Sequence, residues 1–150
     1  MIETLLTRPY WVVDLLPEQV PAGSPGQFFA AERFFLSEQY QPALRRRFAD
    51  ILLKLNCYDD LEVGAPDDEA TERNPAPEKL YRHVIQNQKD LCVLLPDENA
   101  LIILNRDELC MTVYNPPEKL LRRIERLAAA EGLFVWQPPL SEQRGHREVL

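Results

Sequence analysis

Two hydrophobic periods divide the chain. Between residues 42 and 55, Leu44, Phe48, Ile51, Leu52 and Leu55 recur at i, i+4, i+7, i+8 and i+11. That spacing lines one face of a helix, and Arg45, Arg46, Arg47, Asp50 and Lys54 mostly take the solvent side. Residues 116–131 predict a second helix that buries Leu120, Leu121, Ile124, Leu127 and Ala128. Its ends carry their own signals: Asn115 as N-cap, Pro116 in the first position, Glu118 in the third and Gly132 as the stop. Residues 77–88 read as a third helix, and 28–36 as a short, more ambiguous one with aromatic pairs at both ends.

Strand-like runs fill the rest. Residues 10–16 are aromatic and β-branched between Pro9 and Pro17, and 133–137 form a last strand. Three apolar runs, 91–95, 100–104 and 109–114, are separated by Pro96-Asp97-Glu98-Asn99 and Asn105-Arg106-Asp107-Glu108. Short turns of that chemistry join antiparallel neighbours, so residues 91–114 predict a three-stranded meander. Ala100-Leu101-Ile102-Ile103-Leu104 does not alternate. A strand with one wet face would alternate. Both its faces are therefore expected to be covered, by helices of the same chain or by a partner subunit. A short strand is expected at 61–63, a turn-rich connection at 17–26, a flexible acidic loop at 64–77, and a polar tail that frays at 141–150.

One phrase occurs twice. Pro77-Glu78-Lys79-Leu80-Tyr81-Arg82-His83-Val84 returns as Pro117-Glu118-Lys119-Leu120-Leu121-Arg122-Arg123-Ile124, each copy shortly after an Asn-Pro. Each leads through a helix into an apolar run. Either the helix–strand unit is duplicated, or both copies obey the ordinary grammar of a helix start. In both cases the repeat concerns architecture rather than activity. The resulting expectation is one α+β domain over 1–140. A mainly antiparallel sheet carries about three main helices, with a β-α-β unit at its C-terminal end.

Charge sharpens this picture locally. The net charge is −7, and the segment 59–78 holds eight acids against the single base Arg73, which leaves the remainder balanced. A phosphate-tracking nucleic-acid binder needs a basic footprint instead. No run approaches the roughly 18 apolar residues of a membrane helix, and Met1-Ile2-Glu3-Thr4 lacks the start of a secretory signal. Cys57, Cys92 and Cys110 are odd in number and far apart, which suits a reducing cytosol.

Candidate chemistry is sparse. Lys119, Arg122, Arg123 and Arg126 recur at i, i+3, i+4 and i+7, a basic stripe suited to an anion, to an acidic partner or to the chain's own acidic loop. A solvated helix face accounts for the same spacing. Asp14 lies mid-strand on the face of Val12 and Leu16, where a carboxylate needs a partner. Strand-end capping is the plainer explanation. Trp11 and Trp136 lie in the first and last strands, and would line a pocket if those strands were neighbours, or simply pack a core. Cys57 has no histidine near it in sequence, only His83 and His146 elsewhere. No metal-ligand spacing, calcium loop, phosphate loop or nucleophile elbow occurs, so no cofactor is expected.

Arg8-Pro9-Tyr10-Trp11-Val12-Val13-Asp14 and Glu131-Gly132-Leu133-Phe134-Val135-Trp136 resemble segments of short bacterial cytosolic proteins that carry no assigned function. The resemblance implies a cytoplasmic location, and neither an activity nor a site residue. Three functions stay open from the sequence. The first is a non-catalytic interaction or regulatory module, with a protein partner or a second copy. The second is a small-molecule binder or weak enzyme with an aromatic-lined pocket at Asp14. The third is an immunity- or antitoxin-type protein that presents acidic surface to a basic toxin.

Overall fold

Seven strands join in one antiparallel sheet in the computed structural model, which describes residues 2–66, 71–86 and 89–143. In chain order they are β1 (Tyr10–Asp14), β2 (Glu62–Gly64), β3 (Glu72–Arg73), β4 (Leu91–Leu95), β5 (Ala100–Leu104), β6 (Met111–Tyr114) and β7 (Phe134–Trp136). Across the sheet the order is β3-β2-β4-β5-β6-β1-β7. The expected meander is its centre, with Val93 opposite Ile102 and Ile102 opposite Val113. The sheet extends well past that meander on both sides. β1 lies between β6 and β7 and is antiparallel to both, so β6 and β7 run parallel to each other. The helix connecting them completes a β-α-β crossover over an intervening strand.

The helices are α1 (Ile2–Leu5), α2 (Phe28–Phe35), α3 (Gln41–Leu55), α4 (Pro77–Gln86) and α5 (Glu118–Ala130). Strand alternation sorts the core into two layers. On one side Val13, Val63, Val93, Ile102, Met111 and Val113 pack against Phe48, Leu52, Leu80, Val84, Leu120 and Ile124 of α3, α4 and α5. On the other side Tyr10, Val12, Cys92, Leu94, Leu101 and Tyr114 pack against Leu5 of α1. The uninterrupted apolar run of β5 is thus covered on both faces within the chain. The cover is unequal, and Ile103 on the α1 side stays half-buried.

Several expectations need correction. Asn115 does not cap α5. It takes a left-handed conformation (φ 57°), its side-chain NH2 donates to the Asn99 carbonyl at 2.9 Å, and extended Pro117 is the cap residue. A proline pushes its predecessor out of the helical region, so the Pro116-Pro117 pair delays the helix to Glu118. Leu121 and Leu127 are only half-buried on α5; Leu120, Ile124 and Ala128 form its buried stripe. Arg45 was placed with the solvent side of α3, yet it is buried, because α4 packs over it.

Part of the acidic loop is ordered as well. β3 pairs with β2, while residues 67–70 lie outside the described residues. The predicted helix end at 87–88 and the tail from 144 onward also lie outside them. Residues 140–143 are helical rather than frayed, and Gln143 is fully buried. Its side chain accepts from the Tyr10 amide at 2.9 Å and donates to the Pro138 carbonyl at 2.7 Å, which pins this segment to β1. Among the described residues no helix is long and apolar enough to cross a membrane.

Candidate functional site

α5 buries Leu120, Ile124 and Ala128, spaced four apart, so the opposite face must carry its charges. There Lys119, Arg122, Arg123 and Arg126, with Tyr58 and Leu127, line a cavity of about 480 Å³. Tyr58 follows the end of α3 and is exposed. The Arg123 guanidinium sits 4.3 Å from the centre of its ring, a cation–π contact. Arg123 also reaches the largely buried Asp59 carboxylate at 3.3 Å. Arg122 is held by Glu118 one turn back at 2.7 Å, a pairing that raises the arginine pKa further. Lys119 and Arg126 make no ion pair with any described residue. No carboxylate is among its described lining residues.

The first copy of the repeated phrase builds a related cavity. Lys79, Arg82, His83 and Gln86 of α4 line about 370 Å³ of space. These are the same four helical positions as Lys119, Arg122, Arg123 and Arg126. The α4 copy is weaker in charge: histidine replaces Arg123, glutamine replaces Arg126, and Lys79 is engaged by Glu72. Acidic residues of the 59–72 segment thus pair with one cation in each copy, Asp59 with Arg123 and Glu72 with Lys79. α3 packs against both helices.

Asp14 and Trp136 come together elsewhere, on the sheet face that carries α1. β1 and β7 are neighbours, with Val12 opposite Trp136. The Trp136 indole donates to the Asp14 carboxylate at 3.3 Å, and the Leu15 amide donates to its other oxygen at 2.7 Å. Burial pushes the Asp14 carboxyl above its ordinary value, and these donors act against that shift. Both residues line a cavity of about 210 Å³ with Tyr10, Cys110, Thr112 and Glu142. Burial raises the Cys110 thiol strongly, with Glu108 and Asp14 adding to the effect, so it stays protonated. Trp11 alternates to the other face of β1, opposite Val113, and does not share this cavity.

Six candidates therefore fall into two groups: the α5 stripe, and the Asp14–Trp136 pair. The part played by Tyr58 and Asp59 was missed. The available signal was an aromatic beside an acid directly after a helix end, but nothing in the sequence places it against α5. Cys57 makes a weak contact with the Leu53 carbonyl at 3.5 Å, and His83 belongs to the α4 cavity. Among the described residues no group of three or more His, Cys, Asp or Glu side chains could hold a metal ion. Compared with protein-family models, with curated proteins and with solved structures, the chain matches none.

Proposed function

We propose that the chain is a non-catalytic interaction module that holds an acidic segment of a partner protein against α5. One observation carries this reading: four cations and an exposed aromatic ring line one cavity, and no carboxylate is among its described lining residues. Arginine forks suit carboxylates, and the ring and Leu127 add apolar contact beside the charges. Arg123, braced by Tyr58 and Asp59, is already oriented. Lys119 and Arg126 are left to meet the partner.

The test is fluorescence anisotropy with a labelled Asp/Glu-rich peptide, its Asn/Gln counterpart and a DNA duplex. Saturable binding of the acidic peptide alone is expected, weakening as salt rises. In the double variant Lys119→Glu, Arg126→Glu it should weaken by about tenfold or more, because attraction becomes repulsion. Unchanged affinity in that variant, tighter binding of the duplex, or no saturable binding overturns the reading. Self-association abolished by the same variant also overturns it, by making a second copy the occupant.

A further inference from the structure

The Asp14 cavity is independent of the α5 stripe and differs from it in sign. Among the described residues its lining includes two carboxylates, Asp14 and Glu142, and no lysine, arginine or histidine. Two aromatic residues, Tyr10 and Trp136, complete it on the strand side. Its outer wall is a built feature, since buried Gln143 ties residues 138–143 to the start of β1 through two hydrogen bonds. Asp14 is the group that lacks something. Its oxygens accept N–H groups from Leu15 and Trp136, with the Leu16 amide a further donor, yet no cation among the described residues pairs with it. A partly buried carboxylate without a cation is costly.

We propose that this cavity binds a small organic cation, an amine whose charged nitrogen meets the free lone pairs of Asp14 and whose apolar body lies against Trp136 and Tyr10. Carboxylate and aromatic surface together are the recognition chemistry of ammonium groups. The volume of about 210 Å³ holds roughly seven waters at about 30 Å³ each, which suits a compact ligand and excludes a folded partner. An anion is disfavoured by Asp14 and Glu142. A neutral ligand leaves the charge of Asp14 unanswered. Burial holds the Asp14 carboxyl above its ordinary value, and a bound ammonium would act against that shift by favouring the ionised form.

The experiment follows the Trp136 indole N–H by NMR in the full chain, with Trp11→Phe used to assign the two indole signals. Benzylamine, butylamine and tetramethylammonium are titrated at neutral pH beside benzyl alcohol and benzoate. At least one cation is expected to move the Trp136 signal saturably, while the alcohol and benzoate do not. Asp14→Asn removes the charge while keeping one of the two acceptor oxygens, and should weaken that binding by about tenfold or more, the scale of a hydrogen bond to a charged group. Thr112→Ile fills the cavity without changing its charge and should block binding. Lys119→Glu with Arg126→Glu should leave it intact, which separates this site from the α5 stripe. Saturation by no cation, equal binding of benzoate or the alcohol, or full affinity in Asp14→Asn overturns the assignment.

Discussion

Arg45 shows how a charge can sit under a helix without an acid beside it. Its Nε donates at 2.7 Å to the carbonyl of Val84, in the last turn of α4. A guanidinium near a helix C-terminus can donate to a carbonyl there. Its Nη2 has no hydrogen-bond partner among the described residues. Burial pulls its pKa down, while the charges of Asp107 and Asp90 pull it up. The aliphatic stem still packs. Removing the charge and keeping the stem should therefore be nearly free, and removing both should not. Arg45→Met is expected to stay within about 1 kcal/mol of the parent chain, or above it. Arg45→Ala should cost about 2–3 kcal/mol from lost packing. Urea denaturation separates the two, and a methionine variant as weak as the alanine variant would show that the charge itself is needed. Position 45 could not be read correctly in advance. Helical period sets it at the edge of the apolar stripe, seven residues before Leu52, while its charge argued for solvent, and only the approach of α4 decides that it is covered. Asp14 was readable, because period two puts it with Val12 whatever strand lies alongside.

Each copy of the repeated element begins with the same backbone device. Asn74 and Asn115, the residues of the two Asn-Pro pairs, both have positive φ (46° and 57°). Asn74 then ties the start of β2 to the loop. Its side chain accepts from the Leu61 amide at 2.9 Å and donates to Asp60 at 2.8 Å, helping to hold the Asp60 carboxyl below its ordinary value. Asn115 instead bonds its own amide to the Pro9 carbonyl at 2.9 Å, joining β6 to β1. The endings differ in what is described. α5 closes with Leu133 N–H on the Ala128 carbonyl at 2.8 Å and Gly132 N–H on Ala129 at 3.1 Å, a Schellman closure. Gly132 supplies the φ of +73°, and a Cβ there would meet nothing within 4 Å. The cost of a side chain is then conformational alone. Gly132→Ala should lower stability by about 1 kcal/mol and Gly132→Asn by less, measured by denaturation. Equal losses would mean that something other than φ is at stake. The stop was legible because glycine is nearly specific for that conformation. The start was not, since Asn before Pro fits both a cap and a left-handed turn, and the choice depends on Pro9 and Asn99, distant in sequence.

The whole molecule is lopsided. Three long helices cover one face of the sheet, and the four-residue helix α1, with the 138–143 segment beside β1, stands over the other. Neither strand order nor this imbalance could be read along the chain. β2 and β3 are three and two residues long, too short for a period, and the place of β1 between β6 and β7 depends on pairings far apart in sequence. The unbroken apolar run of β5 did announce cover on both sides, but not its thickness. That thickness sets a test. Leu5 is 2% exposed and packs in the cluster with Tyr10, Leu94, Leu101 and Tyr114. Leu120 of α5 is as deeply buried on the other face, in the larger cluster to which α3, α4 and α5 all contribute. Truncating either to alanine should cost about 2–4 kcal/mol, the usual range for a buried leucine. The consequences should differ, because neighbours on the helical side can close around the gap, whereas α1 has little else to hold it. Leu5→Ala is expected to increase binding of a hydrophobic dye under native conditions and to change the near-ultraviolet signal of the Tyr10–Tyr114 pair, whose ring centres lie 5.3 Å apart. Leu120→Ala should do neither at equal stability. A Leu5→Ala chain that loses less than about 1 kcal/mol and takes up no dye would mean that the sheet face does not depend on α1 for its cover.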